Sequence, residues 1–222
     1  MRCLVLGASG RTGQLVVEDA LKRGHQVTAL VRKSSSMKPR NGLTVVEGTP
    51  LQKGDIERAF STTATPPDVT VVALNATRVS DSPFAKPLAP PMFIRDCVRN
   101  TTAVMAEYRV KRIVIMSAWG VGSSWNPSPW MLKLLFSHTN MSYQTEDHNA
   151  TDADVRANDT LSWTLVRPVI LKEGAAAPVR DLGETGKAAG LFSGITRASV
   201  AEFLVKAAET EEWSKKAVVI SN

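Results

Sequence analysis

Short apolar runs alternate with helix-period segments along most of the chain. The runs predict strands at 2–6, 26–31, 43–47, 69–74, 112–116, 161–166 and 217–220, and the segments between them predict helices at 12–23, 55–61, 92–107, 143–157 and 198–210. Strands that read as near-continuous apolar runs, each followed by a helix, are the pattern of βαβ units in a parallel sheet covered on both faces. The expected fold is therefore a single α/β domain over 1–222: a doubly wound parallel sheet with helices on both faces. Loops after the strand C-termini should line its ligand crevice.

Two of those loops are long. Residues 75–91 are rich in Pro, and 117–130 hold Trp119, Trp125 and Trp130; loops of this length in a compact domain are usually functional. From 172 to 194 the pattern fades into Gly, Ala and short apolar pieces, which predicts irregular structure with room for two short strands forming a flap over a substrate. A small substrate-side region around 117–140 and 168–197 follows. No internal repeat or linker divides the chain.

The first strand leads directly into Gly7-Ala8-Ser9-Gly10-Arg11-Thr12-Gly13. A Gly-rich turn between a buried strand and a helix brings backbone amides and the positive helix terminus to an anion, the arrangement that binds a dinucleotide pyrophosphate in Rossmann-like folds. Gly7 would make the tight turn, Gly10 would let the backbone approach the phosphates, and Gly13 would let helix and strand pack closely. An NAD site carries Asp or Glu about 20 residues further on, at the end of the second strand. Here that strand ends in Arg32-Lys33, which suits the 2′-phosphate of NADP(H), with Arg11 able to reach the same phosphate from the other side.

Charge supports a local anionic ligand. The net charge of +6 lies entirely in residues 1–40, which hold eight basic and two acidic side chains; the rest of the chain balances. A nucleic-acid partner would call for a broader basic face with interleaved aromatics, and none is evident. With 43% hydrophobic residues but no apolar stretch near the roughly 20 residues of a membrane helix, the expectation is a cytoplasmic protein with a small-molecule substrate and no membrane partner. Oligomeric state is not written in the sequence. Cys3 and Cys97 read as buried, reduced thiols.

The opening Leu4–Gly13, the run Gly24-His25-Gln26-Val27-Thr28-Ala29-Leu30-Val31-Arg32, Leu74 with Ala76-Thr77-Arg78, Ser117-Ala118 and Arg167-Pro168 together resemble the atypical short-chain dehydrogenase/reductases of the NmrA-like type, and within them the biliverdin reductase B, or flavin reductase, group. The resemblance implies that Thr12 and Gln14 meet the phosphates, in a cofactor-binding turn that also includes Gly7, Ser9, Gly10, Arg11 and Gly13. It also implies that Arg32 meets the 2′-phosphate and that Thr77, Arg78, Ser117, Ala118, Trp119 and Pro168 border the nicotinamide half. Two departures stand out. The family's Gly-Asp after the third strand is Gly48-Thr49 here, leaving backbone contacts from Thr49 to Leu51 to substitute. The Tyr-x-x-x-Lys pair of ordinary short-chain dehydrogenases is absent, since Tyr108 is followed four residues later by Arg112 and Tyr143 by Asp147.

Without that proton relay, ketone or alcohol chemistry is disfavoured. The remaining reading is NADPH-dependent hydride transfer to a planar conjugated small molecule that is flavin-, quinone- or polyketide-like, with Trp119, Trp125 and Trp130 edging a cleft that stacks it. Ser117 is the candidate hydroxyl beside the reacting carbon. His148 has the intrinsic pKa of an acid or base, but it lies in the acidic run 146–154, which reads as an exposed helix face. Asp152 and Asp154, two apart, point to different faces. No metal site is suggested. The alternatives are a non-redox cyclase, isomerase or dehydratase using the same cleft, and an NADP(H)-binding regulator.

Overall fold

The structure is a computed structural model that describes residues 1–80 and 82–222; Asp81, inside the predicted loop 75–91, lies outside the described residues. Among the described residues, ten strands and six α-helices follow in the order β1 (Arg2–Leu6), α1 (Arg11–Lys22), β2 (Gln26–Val31), β3 (Leu43–Glu47), α2 (Lys53–Ser61), β4 (Val69–Val72), α3 (Phe93–Glu107), β5 (Arg112–Met116), α4 (Trp130–Ser137), α5 (Met141–Arg156), β6 (Ser162–Pro168), β7 (Ile170–Lys172), β8 (Arg180–Asp181), β9 (Gly194–Thr196), α6 (Arg197–Glu209) and β10 (Lys216–Ser221). The main sheet has the order β3-β2-β1-β4-β5-β6-β10-β8, parallel throughout except for the β10–β8 edge pair. Chain progression reverses between β1 and β4, so this is a doubly wound sheet whose crevice opens at the carboxyl ends of those two strands.

Side chains alternate across the sheet because successive Cβ atoms point to opposite faces. In β1, Cys3 and Val5 join Val16, Val17 and Leu204 on the face covered by α1 and α6. Leu4 and Leu6 join Ile56, Phe60, Ile94, Met105 and Val155 on the face covered by α2, α3 and α5. Cys3 and Cys97 are buried, free thiols on opposite faces, and burial pushes both up to about 12. No helix among the described residues is long and apolar enough to cross a membrane.

The predicted strands and helices are all present, with ends shifted by one or two residues. Three differences bear on the site. The predicted loop 117–130 runs into a helix, α4, that the sequence reading missed, because Trp130-Met131-Leu132-Lys133-Leu134-Leu135-Phe136 is apolar on nearly every side and carries no 3.6-residue stripe. In the irregular stretch, β7 pairs with β9 in parallel, and β8 closes the sheet edge against Ile220 and Ser221. Loop 75–91 folds back on itself: Val79 N–H donates to Lys86 O, and Leu88 N–H to Thr77 O, at 3.1 and 2.8 Å.

Candidate active site

The Gly-rich turn is built by close approach. Gly7 has φ +82°, and a Cβ there would stand 2.6 Å from Ala73 O; a Cβ on Gly13 would stand 2.0 Å from Gly7 O. Neither position admits a larger residue without moving α1 off the strand ends. Gly10 caps α1, with Gln14 N–H donating to Gly10 O at 2.9 Å, and no side chain caps the first turn. The leading amides thus face the crevice at the positive end of the helix. Thr12 is buried and Ser9 half-buried. Gln14 donates its side-chain amide to Ser9 O at 2.9 Å, bracing the turn from behind.

Arg32 follows β2 and lines a pocket of about 490 Å³ with Glu47, Gly48, Thr49, Asp55 and Arg58. Arg58 was not found from the sequence. Its guanidinium donates to Asp55 Oδ1 at 2.6 Å and to Glu47 O at 2.8 Å, which holds this exposed side chain at the pocket that Arg32 also lines. Asp55 also accepts from Thr49 N–H at 2.8 Å, so a carboxylate reaching over from α2 holds the loop in which the sequence carries Thr49. That amide, helped by the Arg58 pair, holds the Asp55 carboxyl below its ordinary range against the upward push of burial. Lys33 is exposed and caps the turn at 34–36. The charge asymmetry overstates this site, because much of it is structural: Arg2 pairs with Asp68, Arg23 with Asp19 and Glu209, and Arg40 with Glu18. Arg11 lies 3.7 Å from Glu173, beyond β7.

The other predicted residues sit at the same carboxyl edge, after β4, β5 and β6. Thr77 is exposed and Arg78 donates to Ser82 O at 2.9 Å. Ser117 N–H donates to Val166 O at 2.7 Å and Trp119 N–H to Pro168 O at 3.1 Å, which staples the start of the 117–129 loop to the end of β6. Ala118 is half-buried and Pro168 buried. The Ser117 hydroxyl is buried and meets no hydrogen-bond partner among the described residues.

The three tryptophans do not form one stacking edge, contrary to the sequence reading. The Trp119 staple draws its indole into the core, Trp125 is half-buried, and Trp130 stands 72% exposed at the start of α4. His148 is not on an exposed face either. It is 7% exposed, its Nδ1 has no partner among the described residues, and burial pushes its imidazole down to about 4 against the pull of Asp152. The acidic run misled because its carboxylates are used internally. Asp147 accepts from Ile94 and Arg95 N–H at 2.8 and 2.9 Å, capping α3, whose own cap residue Met92 offers no side chain. Burial nevertheless pushes the Asp147 carboxyl up. Asp152 accepts from the fully buried Arg167 at 2.5 Å and from Arg156 at 2.7 Å, and Asp154 pairs with Arg95 and Arg99 on another face, as expected. Arg167 also donates to Ser123 Oγ and Glu184 O.

Strand order, switch point and Gly turn together define a Rossmann-like dinucleotide-binding protein. The chain belongs to the NAD(P)H-binding family, whose model matches residues 7–211. Among solved structures it resembles a short-chain dehydrogenase/reductase (wide type) from Veillonella parvula in complex with NADP, with 17% identity and TM-score 0.76 over 100% of this chain and 94% of that one. It also resembles ChuY, an anaerobillin reductase from Escherichia coli O157:H7, with 15% identity and TM-score 0.76 over 100% and 97%. At such identities the likeness is one of fold. An uncharacterized Bacillus subtilis protein, YwnB, is 42% identical over 41 residues, which is 18% of this chain and 19% of that protein.

Proposed function

We propose that this chain is a cytoplasmic, NADPH-dependent oxidoreductase that reduces a planar conjugated small molecule of the flavin, quinone or polyketide-like kind. The Gly7–Gly13 amides, with Ser9, Thr12 and the braced Gln14, hold the pyrophosphate. Arg32, with Arg58 beside it and Lys33 and Arg11 at the rim, meets the 2′-phosphate, where guanidinium groups give charge-assisted hydrogen bonds. Thr77, Arg78, Ala118, Trp119 and Pro168 border the nicotinamide, and 117–140 with 168–197 form the substrate side. The nicotinamide supplies the hydride when bound, and the chain's own task is binding and orientation.

The observation that carries this reading is the Ser117 hydroxyl, buried and unpartnered at the carboxyl end of β5. A buried hydroxyl without a partner costs free energy unless a ligand completes it. Ser117 hydrogen-bonds an acceptor oxygen of the substrate. His148, neutral near pH 7, does not act as a cationic acid, and Tyr143 on α5 is followed one turn later by Asp147 rather than a lysine. The proton therefore comes from solvent, which restricts turnover to electron-poor acceptors. The fold neighbours that bind NADP or reduce anaerobillin support the reading.

The test follows NADPH absorbance with FMN, a quinone and a panel of small carbonyls. The expected result is oxidation by FMN or the quinone and not by the carbonyls, with Ser117→Ala lowering kcat/KM by about tenfold, the worth of one hydrogen bond. Protein that binds NADPH but is oxidised by no planar acceptor would contradict the proposal.

A further inference from the structure

All ten large apolar side chains that stand exposed among the described residues lie at the carboxyl end of the sheet, in the segments after β4, β5 and β6. Phe84 (70%) and Leu88 belong to loop 75–91, Trp130, Leu134 and Leu135 to α4, and Phe192 (84%) to the segment before β9. Exposed apolar side chains scattered singly need no explanation, but a concentration at one end marks a binding surface. Two of these segments are joined: Asn140 donates to Phe84 O at 2.9 Å, and Gln144 on α5 donates to Ala76 O at 2.8 Å.

Between 117 and 140 the one residue with a permanent charge is Lys133, and its ammonium is held by Asn126 O at 2.8 Å. Of the eight residues of α4 only Leu132 is buried. The strip that this helix offers is about 12 Å long at roughly 1.5 Å per residue. It grows out of the loop whose first residue is Ser117 and packs back on that loop, where a Cβ on Gly120 would stand 2.6 Å from the Phe136 ring. A flat ring hydrogen-bonded to Ser117 would leave it uncovered.

We infer that the acceptor carries a long apolar substituent, which lies along α4 and loop 75–91 while its ring meets Ser117. This rests on the reductase reading above and narrows its substrate class to amphiphilic planar acceptors such as tailed quinones. For a quinone the reaction balances as hydride from NADPH plus one proton from solvent, giving the hydroquinone and NADP⁺. The tail takes no part in the chemistry and acts through burial of methylene groups.

The experiment compares a dimethoxy-methyl benzoquinone without a tail and the same ring bearing a decyl chain, both below the concentration at which the latter forms micelles. The expected result is a KM at least about tenfold lower for the decyl compound, with that ratio falling toward one in Leu134→Ser/Leu135→Ser, whose substitutions are on the protein surface. Equal KM values for the two quinones, with both turned over, would overturn the tail proposal and leave the reductase reading standing. Turnover of neither by NADPH-bound protein would remove the reading on which it rests, and the proposal with it. A preference that survives the double substitution would overturn the assignment to α4. So would self-association abolished by that substitution with no change in the quinone ratio, which would make the strip an interface between copies.

Discussion

His148 shows how a single buried side chain ties stability to pH. Its imidazole, unpartnered at Nδ1, is pushed by burial from the ordinary 6.5 down to about 4. In the unfolded chain the ring takes a proton near 6.5, while in the folded protein it stays neutral until near 4. The folded state therefore binds fewer protons between those values, and stability falls as pH drops through that window, being complete above it and level below it. The size is roughly 3 kcal/mol at about 1.4 kcal/mol per pKa unit. Urea unfolding at pH 7 and at pH 4.5 should show wild type losing roughly 2 to 3 kcal/mol more than His148→Gln. The nearby Asp147 carboxyl, pushed up by burial, changes stability in the opposite direction. It is present in both proteins and so cancels in the comparison. Parallel losses in the two proteins would mean that His148 is protonated in the folded state.

At the scale of elements, Arg167 at the end of β6 binds together three pieces of chain: α5 through Asp152, the turn at 122–124 through Ser123, and the segment after β8 through Glu184. Gly122 belongs to the same packing, since a Cβ there would stand 2.6 Å from Arg167 Nη2. Breaking a buried pair by removing one partner leaves an uncompensated charge, whereas replacing both with apolar groups can be nearly neutral. Asp152→Leu should therefore cost about 3 to 5 kcal/mol in chemical denaturation, and Arg167→Met in the same chain should recover most of it. A double variant as unstable as the sum of the singles would show that the pair is not acting as a unit.

The same elements show what could be read in advance. β1, β4, β5 and β6 are buried on both faces, so each appears as an apolar run, and the steric demands of Gly7 and Gly13 leave a motif visible without any fold. Arg58 with Asp55, and Arg167 with Asp152, left no comparable trace. Their roles depend on partners or pockets supplied by other elements, such as Thr49 for Asp55 and a neighbouring strand end for Asp152. Helix α4 escaped because periodicity detects a helix only when one side is polar, and the acidic stretch of α5 was misread because composition does not reveal whether a carboxylate has a buried amide or guanidinium to meet.

For the molecule as a whole, the parallel sheet puts the ends of β1, β2, β4, β5 and β6 along one edge. Residues from Gly7 to Pro168, distant in sequence, are thereby brought to that one edge. That edge has a basic side at Arg32 and Arg58 and an apolar side at α4, and under the proposed function the first takes the cofactor and the second the acceptor. Calorimetric titration of the protein and of Arg32→Glu with NADPH and with NADH tests this division most directly. Wild type is expected to bind NADPH more tightly than NADH, and Arg32→Glu is expected to weaken NADPH by about tenfold or more, the worth of a charged hydrogen bond, while NADH binding changes little. Equal losses for both nucleotides would remove Arg32 from the 2′-phosphate, and no binding of either by wild type would contradict the assignment of the Gly7–Gly13 turn itself.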